Sequence, residues 1–312
     1  MPDILVVGSL NADLVVRAPR FPQPGETISG EDLQVIPGGK GANQAVAAAR
    51  QETNVSMLGR VGEDNFGAFL LENLKSNRVD SQLIQRDDAS TGTAIIVVDA
   101  NGQNSIVLSA GANGKVTDAD VNSASFSDFS LLLLQLEIPT PTVLSAARRA
   151  HESGLRVILN PAPANKLSNE LISLADYLIP NETELSLLTG LPVNDMNSTE
   201  WAARALLEIG AKNVIVTMGS NGALIVTNSQ VTHIETYTVN VVDTTAAGDA
   251  FIGGFAAAFL RDKSLEEVVR YGCACGALAT TKFGAQPSLP RKEEVQRFMS
   301  LRATKGSEAI SS

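Results

Sequence analysis

Residues 242–251 read Val-Asp-Thr-Thr-Ala-Ala-Gly-Asp-Ala-Phe and set an acidic side chain at the mouth of an apolar helix. The small residues Ala246, Ala247 and Gly248 lead into Asp249, and a Pro-free apolar run follows over 250–260. The first amides of a helix lack backbone partners and carry partial positive charge. Small side chains let an anion come close to them. A carboxylate at that point could take a proton from an attacking hydroxyl as a phosphate arrives. An Asp is also favoured at a helix N-terminus on electrostatic grounds alone, so this stretch does not decide the chemistry by itself.

A second glycine-led helix start is Pro37-Gly38-Gly39-Lys40-Gly41-Ala42-Asn43-Gln44. Its spacing is not that of the Gly-x-x-x-x-Gly-Lys-Ser/Thr phosphate loop, and no Gly-x-Gly-x-x-Gly fingerprint follows the first strand. Lys40 and Asn43 could hydrogen-bond a polyol, or they could belong to an ordinary glycine turn with a solvated Lys. Asn181 and Glu184 stand three apart at another helix start, where they could hold Mg²⁺ through water or simply cap the helix.

The elements that must position these residues follow from hydrophobic periodicity. Residues 3–8 and 131–137 are apolar runs that read as strands buried on both faces. From residue 130 onward strands alternate with helices: strands at 155–160, 177–180 and 213–217, helices at 141–153, 168–174, 182–188 and 199–209. The pattern predicts an α/β fold with a central, mostly parallel sheet covered by helices on both faces. A late hairpin is expected at 223–227 and 230–235. Helices are expected at 250–260, at 264–281 with a Ser264/Glu267 capping box, and at 291–301. Short strands at 14–18 and 32–36, and a hairpin at 93–99 and 104–109 around Asn101-Gly102, do not fit the alternation. They predict a small β-sheet lid drawn from about 12–36 and 93–109. A single unit over 1–303 and a polar tail over 304–312 complete the expected organisation.

Open α/β sheets bind ligands outside the carboxyl ends of their strands. Polar residues gather at those ends: Asn11 and Asp13 past the first strand, then Glu137, Asn160, Asn181 and Glu184, and Thr217 with Gly219, Ser220 and Gly222. Together they predict one cleft with a polyol end (Asn11, Asp13, Lys40, Asn43, Glu137) and a phosphate end (Asn181, Glu184, Thr217, Gly219 and the turn before Asp249).

Bulk properties narrow the class. The chain has 312 residues, 44% hydrophobic, with a net charge of −10 and a mean hydropathy of +0.07. That charge argues against nonspecific nucleic-acid or anionic-membrane binding. No stretch reaches the ~18 apolar residues of a membrane span. Met1-Pro2-Asp3-Ile4 runs straight into a strand pattern, so no signal peptide is expected. Cys273 and Cys275 are the only cysteines and face different ways on a helix, which suits buried thiols in a reducing cytoplasm. The only histidines, His151 and His233, lack a suggestive context, so His-dependent catalysis is not expected.

Taken in order, these motifs resemble the ribokinase-like carbohydrate kinases over nearly the whole chain. The most specific are Gly38-Gly39-Lys40-Gly41-Ala42-Asn43-Gln44-Ala45 and Asp243-Thr244-Thr245-Ala246-Ala247-Gly248-Asp249. Asn11-Ala12-Asp13, Asn160-Pro161-Ala162-Pro163, Asn181-Glu182-Thr183-Glu184, Val216-Thr217-Met218-Gly219 and Gly284-Ala285-Gln286-Pro287-Ser288 support them. The resemblance implies transfer of the ATP γ-phosphoryl group to the 5-hydroxyl of D-ribose. It implies Asp249 as catalytic base, with Gly248, Ala247 and Ala246 forming the anion hole. It implies sugar binding by Asn11, Asp13, Gly39, Lys40, Asn43, Glu137 and Asp249. Nucleotide binding would fall to Asn181, Glu184, Thr217, Gly219, Ser220, Gly222, Gly248 and Cys273, with Mg²⁺ and phosphate near Asn181 and Glu184. A monovalent cation, usually K⁺, would lie at Asp243, Thr245, Ala279, Lys282, Gly284 and Ser288, in part through backbone carbonyls. A homodimer joined through the lid sheets is also implied.

Two residues depart from the family pattern: Ala246 replaces a frequent Gly, and Cys273 replaces a larger or polar residue near the adenine. The nearest alternative substrate is 2-deoxyribose, with Asn11 as the discriminator because a polar side chain there suits a C2 hydroxyl. A non-catalytic sugar- or nucleotide-binding regulator would be free to lose Asp249 or Gly248, and both are present. An NAD-dependent dehydrogenase is disfavoured by the missing glycine fingerprint.

Overall fold

The computed structural model describes residues 3–308. The first part of the chain runs β1 (Ile4–Val7), β2 (Asn11–Arg17), β3 (Gln34–Gly38), α1 (Lys40–Ala49), β4 (Val55–Gly62), α2 (Asn65–Ser76), β5 (Val79–Asp87), β6 (Gly92–Val98) and β7 (Asn104–Ser109). After a 3-10 turn at Gly111–Lys115 come α3 (Asp118–Ser123), β8 (Leu131–Leu134), α4 (Thr140–Glu152), β9 (Arg156–Leu159), α5 (Asn169–Leu174), β10 (Tyr177–Leu178), α6 (Glu182–Thr189) and α7 (Met196–Ile209). The last part holds β11 (Asn213–Thr217), β12 (Ala223–Thr227), β13 (Val231–Ile234), α8 (Ala247–Phe259), α9 (Leu265–Ala279), α10 (Ala285–Ser288) and α11 (Lys292–Glu308).

Nine strands form the central sheet in the order β13-β12-β11-β10-β9-β8-β1-β4-β5. It is parallel from β5 to β11, and β12 and β13 add an antiparallel edge. Helices cover both faces, which is why the central strands are apolar at every position. Ile4, Val6, Leu131 and Leu133 face a core shared with α1, α8 and α9. Leu5, Val7, Leu132 and Leu134 face the opposite core, shared with α4 and α7. Each fully buried side chain of this kind contributes roughly 1.5–3 kcal/mol of transfer free energy.

Helices α1 and α8 approach closely enough to bring their first turns side by side. A Cβ on Gly253 would lie 2.4 Å from Cβ of Ala47, so only glycine permits this spacing. Gly254 meets Cys275 of α9 in the same way, at 2.5 Å from its sulfur. That packing, on the sheet's first core, carries the functional residues of α1 to those of α8.

The lid is a separate four-stranded sheet in the order β3-β2-β6-β7, parallel between β2 and β6 and antiparallel elsewhere. Its first strand begins at Asn11, not at residue 14, because Asn11 pairs with both Gly38 and Gly92. Asn11 and Asp13 therefore sit on a rigid strand rather than in a loop. Strand β5 was not expected; it is an edge strand whose exposed polar residues mask any apolar run. Helix α8 starts at Ala247, three residues before the apolar run, so Asp249 lies inside its first turn. Helix α11 continues to Glu308 instead of ending near 301, and residues 309–312 of the expected tail lie outside the described residues. Among the described residues no helix is long and apolar enough to cross a membrane.

Candidate active site

Asp249 is at the centre, 6% exposed. Both of its carboxylate oxygens accept from neutral amides on α1: Oδ2 from Asn43 Nδ2 at 2.9 Å and Oδ1 from Gln44 Nε2 at 3.0 Å. A carboxylate has about four lone-pair sites, so this leaves capacity for an incoming hydroxyl. Gln44 also donates to Asn160 Oδ1 at 3.1 Å and accepts from Gln135 Nε2 at 2.7 Å. Asn160 in turn donates to the Ile179 carbonyl at 3.0 Å. A buried chain of amides thus fixes the carboxylate to the ends of three strands, β8, β9 and β10.

The backbone beneath Asp249 leaves helix-start amides open to approach. Ala246 caps α8 in the left-handed conformation, with φ 57°. Ala247 N reaches back to Thr244 O at 3.2 Å, and Ala250 N donates to Ala246 O at 2.8 Å. Between them lie the Gly248 and Asp249 amides, in a first turn that has no intrahelical acceptors to offer. A Cβ on Gly248 would meet nothing within 4 Å, so an anion can reach these amides unobstructed.

The expected polyol residues converge beside Asp249. Glu137 Oε2 accepts from Ser9 Oγ at 2.5 Å and from the Lys40 amide at 2.9 Å, which pins the start of α1. Gly39, with φ +87°, lies so near β2 that a Cβ would be 2.7 Å from Asn11 N. The Asp13 carboxylate lies over Gly38, where a Cβ would be 2.1 Å from Oδ2. Asn11 Oδ1 accepts from Asn113 Nδ2 at 2.7 Å. A cavity of about 330 Å³ opens between the lid and the loops at 241–245 and 283–285, with Asp13, Val15, Ile36 and Ile96 in its lining.

Charge is unevenly shared here. Burial pushes the Asp13 carboxyl up, and the nearby Glu137 and Asp249 push it further, to about 7. Burial also raises Glu184, against the opposing pull of the Asn181 amide and Lys40. Burial alone would lower the Lys40 ammonium, but Asp249, Glu137 and Glu184 outweigh it and hold its pKa above the ordinary value. Lys40 is therefore a permanent cation among several carboxylates, suited to a substrate that brings negative charge.

A second cavity, of about 780 Å³, opens against Ala247 and Gly248 at the start of α8. Asn181, Thr217, Gly219, Ser220, Gly222, Gly248 and Cys273 all line it, with Tyr237, Val239, Phe251 and Ala277 supplying an apolar wall. Asn181 and Glu184 cap α6 reciprocally: Glu184 N donates to Asn181 Oδ1 at 2.8 Å, and Asn181 N donates to Glu184 Oε2 at 2.9 Å. Glu184 is 7% exposed and its charge acts on Lys40, but it is outside the lining of this cavity. Burial pushes the Cys273 thiol up to about 12, so it is a neutral apolar wall group rather than a nucleophile.

The expected cation residues are partly brought together. Asp243 Oδ1 accepts from Thr245 N at 2.9 Å and Thr245 Oγ1 at 2.7 Å, while Oδ2 accepts from Gly284 N at 2.9 Å. The Thr280 carbonyl accepts from Val242 N and Asp243 N, at 2.7 and 3.2 Å, tying this loop to the end of α9. The Lys282 ammonium turns away to Glu294 at 2.7 Å, leaving only its backbone to contribute. The buried Ser288 hydroxyl donates to the Ala285 carbonyl at 2.7 Å. Carbonyls, hydroxyls and the single Asp243 carboxylate are hard oxygen donors, which fits a weakly held cation such as K⁺. Among the described residues no group of three or more His, Cys, Asp or Glu side chains could hold a metal ion. Mg²⁺ therefore fits this cleft only as an ion that keeps most of its waters, with Glu184 as an outer partner.

Sequence reasoning missed Gln135 and Asn113 and did not single out Gln44. Gln135 had a signal, a polar residue directly after four leucines. Asn113 had none, since its partners Leu10 and Asn11 lie more than a hundred residues away.

Comparisons with known proteins bear on the family and the fold. Residues 1–292 match the family described as pfkB family carbohydrate kinase. The ribokinase of Staphylococcus aureus is 41% identical over 299 residues, covering 94% of this chain and 98% of that protein. The deoxyribokinase of Salmonella typhimurium is 39% identical over 303 residues, covering 96% and 99%. The solved structure of Arabidopsis thaliana ribokinase complexed with ribose and ATP superposes with a TM-score of 0.89 at 35% identity, covering 95% of this chain and 98% of that one. The fold and these matches lead to one conclusion: the chain belongs to the pfkB family of carbohydrate kinases.

Proposed function

We propose that this protein transfers the γ-phosphoryl group of ATP to the 5-hydroxyl of D-ribose, giving D-ribose 5-phosphate and ADP. The observation that carries the reading is the position of Asp249. Its carboxylate, in the first turn of α8, is held by Asn43 and Gln44; the amides there are unobstructed, and Ala247 and Gly248 open onto the larger cavity. The similarity to ribokinases, one of them complexed with ribose and ATP, supports the choice of substrates.

In this reading Asn11, Asp13, Gly39, Lys40, Asn43 and Glu137 orient the sugar. Asp249 accepts the proton of the attacking hydroxyl, a step worth typically 10²–10⁴-fold. The amides of Gly248 and its neighbours receive the charge that spreads over the phosphoryl oxygens. Asn181, Thr217, Gly219, Ser220, Gly222 and Cys273 hold the nucleotide. Glu184 and Asn181 would hold Mg²⁺ through water, and that ion would supply neutralisation of phosphate charge. Asp243, Thr245, Gly284 and the backbone at 279, 282 and 288 would hold K⁺, which would order the turn before Asp249. Exposed Ile95, Ile106, Val107 and Leu108 on the lid support a homodimer joined through the lid sheets, and the two buried thiols fit a cytoplasmic protein.

The test is ATP-dependent phosphorylation of D-ribose, 2-deoxyribose, fructose and adenosine, with and without K⁺, alongside Asp249→Ala. Ribose turnover that drops by about 10²–10⁴-fold in the variant is expected. Turnover of another sugar in preference would overturn the substrate, and ribose binding without turnover would favour a sugar-binding regulator.

A further inference from the structure

We infer that Asn113 is a positioning residue that fixes which end of the Asn11 amide faces the sugar, and thereby sets the preference for a C2 hydroxyl. The inference rests on the ribose reading above. Asn113 lies in the turn Gly111–Lys115, outside every motif of the sequence, and is 1% exposed. Its amide is read by backbone groups whose chemistry is unambiguous. Leu10 N donates to Asn113 Oδ1 at 2.9 Å, and Asn113 Nδ2 donates to Leu10 O at 3.0 Å. An N–H can only donate and a carbonyl only accept, so these contacts determine which atom of Asn113 is nitrogen. The second hydrogen of that nitrogen points at Asn11, 2.7 Å away. The atom of Asn11 that meets it must be an acceptor, Oδ1, so the Asn11 NH₂ is the end left for a ligand.

The direction of that NH₂ matters because the cleft is rich in acceptors. Asn11 shares its face of β2 with Asp13, Val15 and Arg17, which line the cavity under the lid. Among the described residues nothing accepts from Asn11 Nδ2. Glu137 and Asp249 offer carboxylate oxygens nearby. A sugar hydroxyl has one proton to give, and one that gives it to a carboxylate needs a donor on its other side. A fixed Asn11 NH₂ supplies that donor. With the amide reversed, a C2 hydroxyl would face acceptors alone and lose its advantage over hydrogen. Gly92 belongs to the same device, since a Cβ there would lie 2.1 Å from Asn113 Nδ2 and 2.5 Å from Asn11 Oδ1.

The experiment compares kcat/KM for D-ribose and 2-deoxyribose in the native protein, Asn113→Asp, Gly92→Ala, Asn11→Ala and the Asn11→Ala/Asn113→Asp double variant, with folding checked by circular dichroism. Asn113→Asp can still accept from Leu10 N, but it can no longer donate to Asn11 and so reverses that amide. The ribose to 2-deoxyribose ratio is expected to fall roughly ten- to hundredfold, the range for a buried polar group left mispaired. Gly92→Ala reaches the same contact from another strand and should lower the ratio in the same direction. In the Asn11→Ala background, Asn113→Asp should leave the ratio unchanged. A parallel loss on both sugars, or an unchanged ratio in either folded single variant, overturns the inference while the ribose reading stands. A native protein with equal kcat/KM on both sugars overturns the ribose reading, and the inference with it.

Discussion

Gln44 donates to Asp249 Oδ1 at 3.0 Å while Asn43, its neighbour on the same helix, donates to Oδ2 at 2.9 Å. Adjacent residues on a helix point about 100° apart, yet both reach this one carboxylate where α1 meets the first turn of α8. Gly253 permits that meeting by admitting Ala47. The Asp249 carboxylate is therefore held by the packing of two helices rather than by a loop.

Gln44→Leu tests this support. It removes the donor to Oδ1 and leaves the buried Gln135 Nε2 without its 2.7 Å acceptor. An orphaned buried group costs about 1–3 kcal/mol, which a urea melt should read as lost stability. The carboxylate loses one of its fixed directions, and small misplacements of a reacting group cost up to about 10²-fold in rate. We expect kcat to fall by roughly 10- to 100-fold, with KM for ATP changed less than about threefold. A folded variant with native kcat would show that Asn43 alone orients the base.

How much of this was legible in the sequence depends on where each residue's partners lie. Asp249 could be found because its whole signal, small residues, an acid and an apolar run, is local. Strands β1 and β8 could be found because burial on both faces leaves no polar interruption. The β5 edge strand carries exposed polar residues and offers no such pattern. The start of β2 was hidden for a related reason: Asn11 and Asp13 are polar because they face a cleft, yet they pair as strand residues with Gly38, Ile36, Gly92 and Ala94. Asn113 and Gln135 act through partners distant in sequence, and only the fold brings those partners together.

Asp13 should give the free protein a pH-dependent stability. Its carboxyl has a pKa raised from 3.8 to about 7 by burial and by the charges of Glu137 and Asp249. The folded state therefore keeps a proton that the unfolded chain releases from about pH 4 upward. That contribution is complete below the unfolded value and is lost as pH rises through about 7. Asp13→Asn lacks the titration. Its Tm should match the native Tm near pH 4 and exceed it by a few degrees at pH 8, by differential scanning calorimetry. A Tm difference that stays constant across this range would rule out a proton held at Asp13.

Ala246→Gly should be tolerated or mildly stabilising. Ala246 adopts φ 57°, a conformation that costs a residue with a Cβ about 1–2 kcal/mol. Glycine relieves that strain but adds about 0.5–1 kcal/mol of unfolded-state entropy. The net expectation is a gain of up to about 1 kcal/mol in denaturant unfolding, with kcat within about twofold of native, because the anion-site amides keep their direction. A loss above about 1 kcal/mol would mean that the Ala246 methyl contributes packing in the partly buried edge of the core.

Asp243→Asn separates the cation loop from the base. The native carboxylate accepts from Thr245 on one oxygen and from Gly284 on the other. Burial alone would raise its pKa, but those bonds from Thr245 and Gly284, together with the charge of Arg17, hold it below the ordinary value. It is therefore an anion throughout the neutral range. Asparagine has only one acceptor end, so its NH₂ must confront either Thr245 or Gly284, and the net charge available to a cation vanishes. Arg17 adds a second restraint from the lid side, with its guanidinium 4.6 Å from the centre of the Phe283 ring in the same loop. If K⁺ orders the turn before Asp249, the native protein should be faster with K⁺ than without, and Asp243→Asn should bring that ratio close to one. Its rate in K⁺ should drop by about tenfold or more, in keeping with the loss of an ion's electrostatic support near a phosphoryl site. ATP affinity measured by calorimetry should change little, because Asp243 lies outside the lining of the larger cavity. Full K⁺ activation in the variant would move the cation away from Asp243, and native rates without any K⁺ would remove the cation from the reaction altogether.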